Sequence, residues 1–191
     1  MKKIILASQS PRRKEILKLV DLDFDVMPSG CDENIEYSSP ADMVSKLSYL
    51  KAKDVAEKIK KEDSKNQHLV IGSDTTVFFD NQILGKPKNK EDAFSMLRAM
   101  SGKSHIVYTG VSVIDTLTDK TETFYEETKV TFYDVSDEEI NAYIETKDPM
   151  DKAGAYGVQG KGAFLVKKVE GDYFTVVGLP VAHLLRVLKD F

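Results

Sequence analysis

Apolar positions recur along this chain in two rhythms. Short continuous runs predict buried strands over residues 4–7 and 69–71, with another candidate at 24–27. Between them the spacing becomes helical. Ile16, Leu17 and Val20 follow Pro11, while Val44, Leu47, Val55 and Ile59 belong to a long amphipathic stretch opened by Pro40. Residues 77–79 resume a strand, Asp80-Asn81-Gln82 turns it toward Ile83-Leu84, and a helix over 91–100 buries Ala93, Phe94, Leu97 and Met100. Two runs rich in valine, threonine and aromatics, 105–117 and 121–133, flank Asp119-Lys120 and predict an antiparallel hairpin. Ser136 and Glu139 have capping-box spacing for a short helix. Residues 164–169 and 173–177 predict strands around Glu170-Gly171-Asp172, and Val181, Leu184, Leu185 and Leu188 mark a closing helix. Helices alternating with strands, then a hairpin, predict an α/β fold whose sheet is mixed. No sustained repeat or long linker interrupts the pattern. The expectation is a single domain over 1–191, with two lobes around a cleft.

Composition narrows the chemistry only slightly. With 191 residues, 41% hydrophobic and 30% charged, the chain can bury a core without covalent staples. Its 27 Lys and Arg against 31 Asp and Glu leave a net charge of −4, which argues against a general nucleic-acid binder but not against a local basic cluster holding a small phosphate. The one cysteine, Cys31, excludes an intramolecular disulfide, and His68, His105 and His183 lack metal-ligand spacing. No apolar run reaches membrane-spanning length and the first residues lead straight into a strand, so a cytoplasmic location is expected.

Candidate chemistry gathers at five places. A strand-to-helix turn, Ser8-Gln9-Ser10-Pro11, presents backbone N–H groups beside Arg12 and Arg13, with Ser10 placed to cap the helix; donors of both kinds suit a phosphate, although two solvated arginines at a capped helix would read the same. The acidic loop 31–36 offers Asp32 or Glu33 to a metal. Asp74 stands where a central strand is expected to end, the place open α/β sheets reserve for ligands. Lys86 sits between Gly85 and Pro87 in a flexible turn. Finally, residues 154–162 contain four glycines and Gln159, whose amide carries both the donor and the acceptor needed to read a base edge. Lysines 46, 51, 53, 58, 60 and 61 decorate the long helix, and this reading does not say which turns inward. Cations and carboxylates facing a polyphosphate call for a divalent ion between them, as in phosphoryl or nucleotidyl chemistry. The P-loop pattern, the Rossmann glycine pattern and a serine-hydrolase triad are all missing.

LASQSPRRKEIL (6–17), GSDTTV (72–77), ILGKP (83–87) and DPMDKAGAYGVQGKGA (148–163) resemble, in order and nearly end to end, the Maf family of nucleoside triphosphate pyrophosphatases, in particular its dTTP/UTP branch. The resemblance implies an elongated mixed α/β sheet with flanking helices and a central cleft, similar to inosine triphosphate pyrophosphatases. It implies cleavage between the α and β phosphates with a divalent cation, Mg²⁺ or Mn²⁺, and a homodimer with no stable nucleic-acid or membrane partner. Position by position, it assigns Ser8, Arg12 and Arg13 to the phosphates and Glu33 and Asp74 to the metal. Asp74 is also its general base, Lys53 and Lys86 its catalytic lysines, and Thr75 and Gln159 its substrate-binding pair. Two alternatives stay open: a purine or modified nucleoside triphosphate as substrate, and a nucleotide-binding regulator of cell division without turnover.

Overall fold

The structure is a computed structural model and describes residues 2–191. Strand β1 (Lys3–Leu6) lies between β2 (Asp25–Val26) and the first part of β3 (His68–Phe79), parallel to both. Helices α1 (Pro11–Leu19) and α2 (Pro40–Glu62) make the parallel connections. β4 (Gln82–Leu84) folds back antiparallel on the end of β3 through Asp80 and Asn81, both at positive φ as a two-residue hairpin turn requires. Next come α3 (Lys90–Met100), the long neighbouring strands β5 (Ser104–Asp115) and β6 (Thr121–Phe132), and α4 (Asp137–Glu145). Tight 3₁₀ turns occupy Asp148–Asp151, Ala153–Ala155 and Gly160–Leu165 before β7 (Val166–Glu170), which pairs antiparallel with β6. Helices α5 (Tyr173–Val177) and α6 (Val181–Val187) close the chain. Among the described residues the strand order is β2-β1-β3-β5-β6-β7, with β4 paired to β3. The fold is thus the mixed α/β type expected.

The chain divides into two compact units. Unit one takes in the chain up to Asp74, Thr109–Glu126 and Gly178–Phe191; unit two takes in Thr75–Tyr108 and Glu127–Val177. In unit one Ile5, Val70 and Ile114 from the strands bury Ala52, Val55 and Ile59 of α2. In unit two Leu97, Met100, Val107, Phe132, Ile140 and Leu165 form the centre of a separate apolar cluster.

Three local expectations are corrected. β3 does not end at Asp74 but runs unbroken to Phe79, because its polar residues find partners that satisfy them inside the fold. What ends there is β1: Leu6 pairs with Ile71, and Asp74 lies three residues beyond, alongside the turn that leaves β1. Residues 173–177 are helix, not strand. The Asp172 carboxylate accepts from the N–H groups of Phe174 and Thr175 and from the Thr175 hydroxyl, and this cap outweighs the β preference of Tyr-Phe-Thr-Val-Val. Ser10 makes no side-chain cap; its N–H instead donates to Ser8 Oγ.

Candidate active site

The turn after β1 is fixed by side chains of unit one. The Ala7 N–H donates to the Ile71 carbonyl at 2.8 Å, and Ser8 Oγ accepts from the Ser10 N–H at 3.2 Å. Arg13, in the first turn of α1, reaches back with Nη1 to Ser8 Oγ at 3.1 Å and with Nε to the Gly178 carbonyl at 2.8 Å. Ser73 Oγ from β3 donates to that same carbonyl at 3.1 Å. Arg13 is therefore held in one orientation by Ser8 and Gly178.

Asp74 follows Ser73, and its carboxylate meets a lysine. Lys51 Nζ stands 2.6 Å from Asp74 Oδ1 and 3.1 Å from Glu33 Oε1, so one ammonium bridges both predicted carboxylates. The side chains of Lys51 and Asp74 keep only 13% and 12% of their exposure, whereas Glu33 keeps 59% and reaches in from solvent. Arg13 feels the same charges. Burial lowers its pKa from the ordinary value against the pull of Asp74, with Arg12 acting in the same direction as burial and Glu33 opposing it. Arg12, Arg13, Lys51, Asp74 and Glu33 thus form one interacting group.

Lys51, not Lys53, is the lysine that α2 turns inward. The buried positions Val44, Leu47, Ser48, Ala52, Val55, Ala56 and Ile59 trace one stripe, and 51 lies on it, four residues after 47 and four before 55. A charge inside an apolar stripe is the signal that finds it in the sequence. Lys53 falls on the outer face at 49% exposure, 3.9 Å from Glu57 Oε1 and 5.8 Å from the Tyr49 ring centroid. Gly72 makes the reach of Lys51 possible. A Cβ there would collide with the Ser48 carbonyl oxygen and stand 2.7 Å from the Ala52 nitrogen, so α2 crosses β3 at backbone contact only two residues before Asp74.

Unit two carries the remaining predicted residues. Thr75 is the next residue on β3. Lys86 is exposed on the segment leaving β4, and Gln159 is exposed just before the 3₁₀ turn Gly160–Leu165. The Gly154 N–H donates to the Gly85 carbonyl at 3.0 Å, which ties the segment of Lys86 to the loop of Gln159.

Among the described residues no three His, Cys, Asp or Glu side chains gather as a metal cage. The pair Asp74 and Glu33 nevertheless suits Mg²⁺ or Mn²⁺. Such hard ions take one or two carboxylates and complete their shell with water and substrate phosphates, and both carboxylates here already converge on a single cation.

A family model described as Maf-like protein matches residues 3–191. The chain belongs to the Maf-like family. Among its relatives, the dTTP/UTP pyrophosphatase of Bacillus cereus (strain G9842) is 51% identical over 192 residues, covering 100% of this chain and 96% of that protein. The dTTP/UTP pyrophosphatase of Bacillus anthracis is 52% identical with the same coverage. A solved nucleoside-triphosphatase / dITP/XTP pyrophosphatase from Mycobacterium abscessus aligns with 98% of this chain and 96% of its own at a TM-score of 0.41 and 9% identity. That similarity is too low to argue from, and the Maf-like assignment stands on the sequence match. No helix among the described residues is long and apolar enough to cross a membrane.

Proposed function

We propose that this Maf-like chain hydrolyses the bond between the α and β phosphates of dTTP and UTP, giving the nucleoside monophosphate and pyrophosphate. The observation that carries the proposal is the Lys51 ammonium bridging Asp74 and Glu33 within the field of Arg12 and Arg13. Relatives 51% and 52% identical over 96% of their length are dTTP/UTP pyrophosphatases by name.

Asp74 orients a water and accepts its proton as the oxygen attacks the α phosphorus; the bond from that phosphorus to the bridging oxygen breaks, and pyrophosphate departs with the electron pair. Arg12 and Arg13 hold the phosphate oxygens, Arg13 in the orientation that Ser8 and Gly178 impose. Lys51 keeps the two carboxylates together, and with the nucleotide bound it faces phosphate oxygens as well as Asp74. Asp74 and Glu33 would hold a divalent ion, which when bound neutralises charge on the phosphates. Lys86 is assigned to the phosphates, and Thr75 and Gln159 to the base. A homodimer in the cytoplasm completes the reading, and light scattering tests the assembly.

A panel of dTTP, UTP, CTP, GTP, ITP and methylated nucleotides with Mg²⁺ or Mn²⁺ decides it. The expected result is turnover of dTTP and UTP with pyrophosphate, not orthophosphate, as product. Preferred turnover of GTP, ITP or a methylated nucleotide would give the purine or modified-nucleotide alternative. Saturable binding without turnover would give the regulator.

A further inference from the structure

The loop that carries Gln159 is closed around a single hydroxyl. Tyr143, on α4, donates its phenol to Asp148 Oδ2 at 2.8 Å and accepts from the Gly157 N–H at 3.3 Å. Gly162 packs against the same oxygen. A Cβ at that position would lie 2.6 Å from it and overlap the Gly157 carbonyl as well. The two ends of the short segment 157–162 therefore meet at the Tyr143 oxygen, with Gln159 between them.

Nearby charges keep that oxygen in its donor form and its acceptor in place. Lys152 donates to the Asp148 carbonyl and stands 3.0 Å from Asp148 Oδ1, its side chain mostly buried. Burial, reinforced by the Asp148 carboxylate, pushes the Tyr143 phenol far above its ordinary pKa. The phenol thus keeps its proton for Asp148 and its lone pair for Gly157 at any working pH. Removing the oxygen leaves the Gly157 N–H without this acceptor and takes away the fixed point from which Gln159 projects.

We infer that Tyr143 is a positioning residue for base selection: its hydroxyl sets the loop from which Gln159 reads the pyrimidine, without touching the substrate itself. This rests on the reading of Gln159 as the base-contacting residue. Residues that only support a fold change stability for every substrate alike. A residue that aims a base reader changes the ratio between bases.

The test compares wild type, Tyr143→Phe, Gln159→Ala and the double variant on dTTP, UTP, CTP and GTP. The expected result for Tyr143→Phe is a KM for dTTP and UTP raised about tenfold with kcat within about twofold, and a preference over CTP and GTP narrowed by a similar factor. In the double variant Tyr143→Phe should add little to Gln159→Ala, since both remove the same contact. If Tyr143→Phe does not fold, Asp148→Asn takes its place, keeping the shape while weakening the acceptor, and a smaller narrowing is expected. A wild-type preference that Tyr143→Phe, or Asp148→Asn in its place, keeps in full overturns the inference alone. A preference narrowed in that variant but untouched by Gln159→Ala overturns it too, because the effect would not pass through Gln159. A wild type that hydrolyses all four nucleotides equally overturns the reading of Gln159 and this inference with it.

Discussion

Asp74 and Lys51 face each other across 2.6 Å, and the proposed chemistry depends on what each contributes there. Asp74→Asn keeps an acceptor for the ammonium but loses the base, so kcat should fall about a hundredfold or more while Tm stays within a few degrees. Full turnover in that variant would remove Asp74 from the mechanism. The two neighbouring lysines make a sharper contrast. Lys51→Gln should lower kcat about a hundredfold, whereas Lys53→Gln, which loses only exposed contacts to Glu57 and the Tyr49 ring, should stay within about twofold. Equal losses in both would contradict the inward assignment of Lys51. At this scale the sequence was legible wherever a residue stood in an unusual local setting. Arg12 and Arg13 beside a strand-to-helix turn are such a case, whereas Asp74 is read at a strand end that β3 does not have there. Lys51 was hidden among lysines of one helix, and only its coincidence with the stripe of Val44, Leu47 and Val55 distinguishes it.

Elements are positioned here by close approach and by caps as much as by hydrophobic period. Because α2 crosses β3 at Gly72 with no room for a Cβ, Gly72→Ala should cost about 3 kcal/mol in urea unfolding and weaken the Lys51–Asp74 pair. A loss below about 0.5 kcal/mol would mean that helix and strand have slack. Asp172→Ala removes the cap of α5 and should destabilise by about 1 kcal/mol, read in the same assay. The helical and strand periods of α2, α3, β5 and β6 were plain in the sequence because each buries one face or one long run. α5 was not, since its five residues favour strand and the deciding group, Asp172, acts from outside the segment. The continuity of β3 was hidden in the same way: Ser73 and Asp74 look like a break until Gly178 and Lys51 supply their partners.

The whole molecule adds a dependence on pH that no catalytic group explains. In unit two His105 is buried, its Nε2 2.7 Å from the Tyr156 hydroxyl and its Nδ1 without a hydrogen-bond partner among the described residues. Burial lowers its pKa from 6.5 to about 4. A proton therefore binds the unfolded chain more readily than the folded one. The stability from neutral His105 is complete above the unfolded value and is lost as pH falls through the interval down to the folded value. Between about pH 7 and pH 5 the loss should be about 2 kcal/mol, and His105→Leu should flatten it. An unchanged pH profile in that variant would assign the dependence elsewhere. The mixed α/β class could be read from the order of periods, but where one unit ends and the other begins could not, because β3, β5 and β6 each run through both. The chemistry itself is tested most directly by one measurement, the turnover of dTTP in water enriched in heavy oxygen. Attack at the α phosphorus predicts the label in dTMP and none in the released pyrophosphate. Label in pyrophosphate, or release of labelled orthophosphate with dTDP, would contradict the account.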